Sequence, residues 1–188
     1  MRVGGFRPTL DPLATHFGLK PVGSAGEVWP ESAGKPMMFV CQLNLTTAPI
    51  VPERLGDIRL ITFFVEAETA ALDEENGGNW CLRAYRSLEG LAPLAPRPDA
   101  PKIKKGFECS WEELPGNAER TKLGGRANYI QSEPWWDYRA HPAKPAYCLQ
   151  INSEEKVGLG WGDTGTVYLA RGTAAGCEDH WFLDIQFF

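Results

Sequence analysis

The order of short motifs in the first half of the chain recurs in the second, and this recurrence limits the fold more than any other feature. The first half runs Thr15-His16-Phe17-Gly18, Trp29-Pro30, Lys35-Pro36, Gln42-Leu43-Asn44 and Gly56-Asp57, then an apolar run. The second runs Thr121-Lys122-Leu123-Gly124, Trp135-Trp136, Lys144-Pro145, Gln150-Ile151-Asn152 and Gly162-Asp163, then another apolar run. Gly18 precedes Trp29 by as many residues as Gly124 precedes Trp135. The gap from Lys35 to Gln42 differs from that between Lys144 and Gln150 by one residue. The gap from Gln42 to Gly56 differs from that between Gln150 and Gly162 by two. Such a series predicts two divergent copies of one β-rich unit.

Each copy is expected to open with a short helix. Asp11-Pro12 supplies a cap and a first-turn proline, and Gly18 a left-handed stop. Asn117 to Leu123, closed by Gly124-Gly125, repeats the arrangement. A tryptophan-rich loop follows, then a strand over Met37–Leu45 or Ala146–Asn152. A Gly-Asp turn leads to a second strand over Ile58–Glu66 or Thr164–Arg171, dense in β-branched and aromatic residues. Further strands are predicted over Trp80–Arg86, after the Asn76-Gly77-Gly78 turn, over Lys102–Trp111, and over Trp181–Phe188, which ties down the C-terminus. Gly90 to Pro101 carries Pro93, Pro96, Pro98 and Pro101 and reads as an extended, exposed connection. The expected fold is therefore α+β, mostly antiparallel β with short helices and an internal duplication, as a single globular domain over residues 1–188. The first copy covers about 11–90, the connection about 91–101 and the second copy about 115–188.

A net charge of -5 argues against DNA, RNA or anionic membrane as a partner, because no basic excess exists to neutralise phosphates. Lys102, Lys104 and Lys105 read as a solvated face or a partner contact. Cys41, Cys81, Cys109, Cys148 and Cys177 form no C-x-x-C pair, which removes the zinc and thioredoxin patterns. Reduced, mostly buried thiols fit that spacing. The opening residues lack a signal-peptide core, and no run is long and apolar enough to span a bilayer. The expected location is the cytoplasm.

Gly160-Trp161-Gly162-Asp163-Thr164-Gly165 matches a dinucleotide-loop pattern. Such a loop needs a helix after it to receive the pyrophosphate, and here a strand is predicted, so a tight turn is the expected role. His16, His141 and His180 fall in no recognised ligand or catalytic spacing. His180, near Asp179 and Asp184, reads as a surface or hydrogen-bonded histidine. Gln42, Asn44, Gln150 and Asn152 interrupt apolar strands at matching places. They read either as a structural hydrogen-bond network or as amides lining a pocket between the halves. Trp135, Trp136 and Tyr138, with Asp137 and Arg139, form an aromatic and charged loop: a lid over the core or a partner surface. The acidic stretch Glu66 to Glu75 reads as a solvated loop or a face for a basic partner.

Lys122-Leu123-Gly124-Gly125, the aromatic loop, Cys148–Ser153 and the Trp161–Tyr168 string together resemble the YwqG-like family of bacterial proteins. The resemblance extends to Pro36–Leu45, Gly56–Phe64 and Leu183–Gln186, and so covers most of the chain. It implies an α+β fold with mostly antiparallel sheets and an internal duplication. It implies no activity, since the family is a domain of unknown function. Where the family often has His before Leu-Gly-Gly, this chain has Thr121 and Lys122, and where it often has Asp after Gln-Ile, this chain has Asn152. Both departures remove a potential acid or ligand.

The functional expectation is a non-enzymatic bacterial protein-binding module that uses no cofactor and no metal. Its concrete form is an immunity-type protein that occupies a cognate toxin, with Trp135, Trp136, Tyr138 and Arg139 as the candidate surface. The alternative is a small-ligand-binding or enzymatic domain. Its cleft would lie between the copies, lined by Gln42, Asn44, Gln150, Asn152, Trp161 and Asp163. A third reading is an assembly protein that self-associates through the aromatic loop.

Overall fold

The computed structural model describes residues 1–67, 72, 75–113, 118–138 and 140–188. The strands in chain order are β1 (Arg2–Val3), β2 (His16–Phe17), β3 (Val22–Gly23), β4 (Glu31–Ser32), β5 (Lys35–Pro36), β6 (Met38–Asn44) and β7 (Leu60–Val65). They continue with β8 (Trp80–Tyr85), β9 (Ala92–Pro93), β10 (Phe107–Ser110), β11 (Lys122–Leu123), β12 (Ala146–Asn152), β13 (Thr166–Arg171) and β14 (Trp181–Gln186). A six-stranded sheet has the order β1-β10-β2-β6-β7-β8, and a four-stranded sheet the order β11-β12-β13-β14. All their strand pairs are antiparallel.

The period of two along each strand sends alternate side chains to opposite faces. Val40, Cys41 and Leu43 of β6 and Ile61, Phe63 and Val65 of β7 turn inward. Leu149, Ile151, Val167, Leu169 and Leu183 of the second sheet join them in one core. Trp161 enters this core from a turn, its ring 6.5 Å from that of Phe63. The outer faces carry separate apolar clusters, Met37, Phe39, Phe64 and Leu94 on the first sheet and Trp136, Tyr168, Ala170 and Phe182 on the second.

The protein is nearly all-β. Among the described residues the one α-helix is α1 (Trp135–Tyr138), joined by single 3-10 turns at Leu45–Thr47 and Glu53–Leu55. The helix expected over Asp11–Gly18 is a single turn. Asp11 caps it by accepting from Leu13 N at 2.9 Å, but the chain then enters the ladder as β2. A two-residue strand between β10 and β6 completes the pairing of both neighbours, and this outweighs weak local helix propensity. Of the second expected helix, Asn117 lies outside the described residues, and Lys122–Leu123 pairs with β12 instead. Gly18 and Gly124 do take left-handed angles, φ +60 and +59, but they end strands rather than helices. The expected exposed connection over Gly90–Pro101 is a strap. Ala92–Pro93 pairs with β3, and Leu94 is buried on the outer face of the first sheet.

The two sheets share local detail. His16 is registered with Gln42, and Lys122 with Gln150. The ladders shift between Phe39 and Cys41 in one sheet and between Tyr147 and Leu149 in the other. Asn44 N donates to Thr15 Oγ1 at 2.9 Å, and Asn152 N to Thr121 Oγ1 at 3.0 Å. Gly18 N donates to Val40 O, and Gly124 N to Cys148 O. The Gly-Asp pairs differ: Gly56 is right-handed at φ -63, whereas Gly162 is left-handed at φ +52.

Candidate functional site

The four amides serve the outer faces, not a common cleft. Gln42 Oε1 accepts from Val22 N at 3.0 Å, and its Nε2 donates to Pro12 O and Ala14 O at 2.9 Å. Asn44 Nδ2 donates to Leu13 O, and its Oδ1 accepts from Thr46 N and Thr46 Oγ1. These bonds pin the segments that cover the first sheet. Gln150 Nε2 donates to Asn152 Oδ1 at 2.8 Å, and its Oε1 accepts from Tyr147 Oη at 3.2 Å. Because Leu43, Leu149 and Ile151 face the core, their neighbours Gln42, Asn44, Gln150 and Asn152 point away from it, on opposite sides of the molecule. Trp161 is buried in the core between, and Asp163 sits in the exposed turn before β13. In that turn Gly165 N donates to Trp161 O at 2.7 Å, and the strand that follows removes the helix a dinucleotide loop needs.

The aromatic loop is divided. Trp136 is 2% exposed and packs with Tyr168, Ala170 and Phe182, so it is a lid residue and not a surface residue. Trp135 is half-buried, donates from Nε1 to Leu183 O at 3.1 Å, and meets His141 and Phe182 edge-on at 5.9 and 6.0 Å. The Tyr138 side chain and Arg139 lie outside the described residues, as do Glu68, Asp73 and Glu74 of the acidic stretch.

Trp135 opens onto a groove of about 390 Å³ between the end strands of the two sheets. Trp80 of β8 and Trp181, Phe182 and Leu183 of β14 form its walls, with His141 and His180 beside them. Glu75 and Asp179 stand at the rim, and among the described lining residues there is no lysine or arginine. An end strand presents unpaired backbone groups that invite another chain. Here side chains occupy some of them. Asn76 Oδ1 accepts from Leu82 N at 2.8 Å and its Nδ2 donates to Leu82 O, while Trp135 Nε1 takes Leu183 O.

Beside the groove an ionic cluster joins the halves. Arg171, its side chain 5% exposed, donates from Nη1 to Asp57 Oδ1 at 2.5 Å and from Nη2 to Asp57 Oδ2 at 2.8 Å. Nη1 also reaches Arg54 O, and Nε donates to Glu178 O. Arg86 links Asp57 to Asp179. The Arg171 hydrogen bonds hold the Asp57 carboxyl down at about 2.

Two of the further clefts bear on function. One of about 730 Å³ lies against the polar end of the second sheet, with Asn152, Ser153 and Thr166 in its lining and Arg2, Arg120 and Lys156 among its cations. The other, of about 490 Å³, is mainly apolar and gathers Phe6, Leu10 and Leu19, all exposed large hydrophobics, around His16. Sequence reasoning missed this second cleft. Its one advance signal was His16, which falls in no recognised spacing.

Four of the five thiols do not suit catalysis. Burial raises Cys41 and Cys81 and pushes Cys109 and Cys148 up to about 12, so thiolate is scarce at neutral pH. Among the described residues no group of three or more His, Cys, Asp or Glu could hold a metal ion, and no helix is long and apolar enough to cross a membrane.

No protein-family model matches the chain, and no curated protein matches it.

Proposed function

We propose that the protein is a non-enzymatic module that binds another protein through the groove between the end strands of its two sheets. The observation that carries this reading is the groove's makeup: Trp80, Trp135, Trp181 and Phe182 as walls, with Glu75 and Asp179 at the rim. The aromatic walls and the Glu75 carboxylate suit a basic side chain, which gains from ring faces and charge together, whereas Asp179 is already paired with Arg86. The partner is thus a protein that offers an exposed arginine or lysine. In its concrete form the module is a cytoplasmic bacterial immunity protein, and the partner its basic toxin, in keeping with the net charge of -5.

The matched registers His16–Gln42 and Lys122–Gln150, with the matched ladder shifts, support an origin of both sheets in one duplicated unit. They also support the YwqG-like resemblance, which implies such a duplication. A second reading, a domain for a small polar ligand, is favoured by one observation: Asn152 lies in the lining of the 730 Å³ cleft.

Affinity capture from the native host tests the main reading, with tagged wild type, Glu75→Lys and Trp135→Ala compared. One stoichiometric protein, retained by the wild type and lost by both variants while their melting curves stay cooperative, is the expected result. Equal capture by all three would remove the groove from the account.

A further inference from the structure

The two sheets use matching amides differently. In the first, the turn before Thr15 plugs the outer face with its carbonyls. Gln42 Nε2 donates to Pro12 O and Ala14 O, and Asn44 Nδ2 to Leu13 O, each at 2.9 Å. The second sheet keeps the same frame. Thr121 Oγ1 accepts from Asn152 N as Thr15 Oγ1 does from Asn44 N. Asn128 N donates to Gln150 Oε1 at 3.4 Å, as Val22 N does to Gln42 Oε1 at 3.0 Å. The plug, however, is missing. Gln150 Nε2 turns to Asn152 Oδ1 at 2.8 Å, and no carbonyl of residues 118–120 accepts from either amide side chain.

In place of the plug lies the cleft of about 730 Å³, with Glu119, Arg120 and Thr121 in its lining where the first sheet has Leu13, Ala14 and Thr15. Asn152 is half-buried and lines the cleft too. The orientation of its amide is fixed. Gln150 Oε1 accepts from Asn128 N, so Gln150 Nε2 is the donor and Asn152 Oδ1 the acceptor. Asn152 Nδ2 therefore keeps both protons, donates to no described residue, and is not sealed from the cleft. It is an open donor at the position where Asn44 holds a carbonyl oxygen. Charge at the site is also biased. Arg2, Arg120 and Lys156 face Glu119 and Glu154, on a chain whose net charge is -5. Lys156 Nζ donates to Val3 O and Arg2 lies 3.7 Å from Glu112, whereas Arg120 is exposed and makes no ion pair with a described residue.

We propose, on the small-ligand reading of this cleft, that it binds a small organic acid whose carboxylate accepts from Asn152 Nδ2 and faces Arg120. One carboxylate oxygen takes the place that the Leu13 carbonyl has against Asn44, and its charge strengthens the hydrogen bond. Val3, Tyr129 and Ile130 supply apolar lining for the body of the acid, and the volume falls within the range of small-molecule sites. The site is separate from the groove between the end strands.

Benzoate and benzamide, which share a ring and a carbonyl and differ in charge, form a matched pair of probes. Each is titrated into the full chain at neutral pH and followed by backbone and side-chain amide signals. The expected result is saturable benzoate binding that moves the Asn152 side-chain amide and the backbone amides of Arg120 and Thr121. Benzamide should bind about tenfold more weakly at the same signals. Arg120→Gln should weaken benzoate and leave benzamide unchanged. Asn152→Asp, which keeps an acceptor for Gln150 Nε2 but sets a second carboxylate against the ligand, should abolish benzoate binding. If Asn152→Asp fails to fold, the probe pair and Arg120→Gln still decide. Equal affinity of both probes for the cleft would leave a small-ligand site and overturn the acid as its ligand. No saturable shift at Asn152 from either probe would overturn both.

Discussion

Replacement of His16 by glutamine should flatten the acid limb of the stability curve. Burial lowers the His16 pKa from 6.5 to about 4, because the charged ring would lose its water within the cover of the first sheet. Above the unfolded value both states hold a neutral ring, and the group adds no pH dependence. As the pH falls, the unfolded chain takes its proton first, so stability drops between about pH 6.5 and pH 4 and levels once the folded ring also titrates. At 1.36 kcal/mol per unit the loss across that window is about 3 kcal/mol. Urea unfolding of wild type and His16→Gln at about pH 7.5, 6, 5 and 4 reads it directly. Carboxylates that titrate near the lower end act in both proteins and cancel in the comparison. The wild type should lose about 3 kcal/mol more than the variant over the series. Parallel losses in the two proteins would refute the claim that His16 is buried neutral.

The Asp57 carboxylate, held at about 2 by Arg171, acts in a lower window. Its contribution is complete above about pH 4 and disappears as the pH falls through about 2. Since its side chain is 44% exposed and screened by solvent, Asp57→Asn should cost only about 1 kcal/mol, or ~2–4 °C in Tm by calorimetry; no change would mean the cluster does not hold the halves together. Phe63→Ala opens a cavity where the ring faces Trp161 and should cost about 3–5 kcal/mol in urea unfolding, a loss under 1 kcal/mol arguing against one shared core. Gln42→Leu leaves Val22 N and two carbonyls without their partner and should cost about 1–3 kcal/mol, with faster hydrogen exchange at Val22 as its local sign.

The strands were legible because their signal is strong and local. Ala146–Asn152 coincides with β12, and β6 is shorter than its expected span only by the end residues Met37 and Leu45. The opening helices were misread because Asp11-Pro12 and Gly18 describe a local preference, whereas the ladder around His16–Phe17 is formed by residues more than twenty positions away. Trp136 looked like a surface residue because a loop tryptophan does not reveal its cover, here Tyr168 and Phe182. The cleft at His16 was beyond sequence reading for a related reason. It depends on Glu108 reaching back to Thr9 and on a left-handed Leu10, and neither long-range pairing nor a non-glycine positive φ leaves a pattern along the chain.

Calorimetric titration of the captured partner against wild type, Trp135→Ala and Glu75→Lys reads the part the groove plays in binding. Each variant should lose at least about tenfold in affinity, and wild-type binding should weaken with added salt. Wild-type affinity in both folded variants, or binding indifferent to salt, would contradict it.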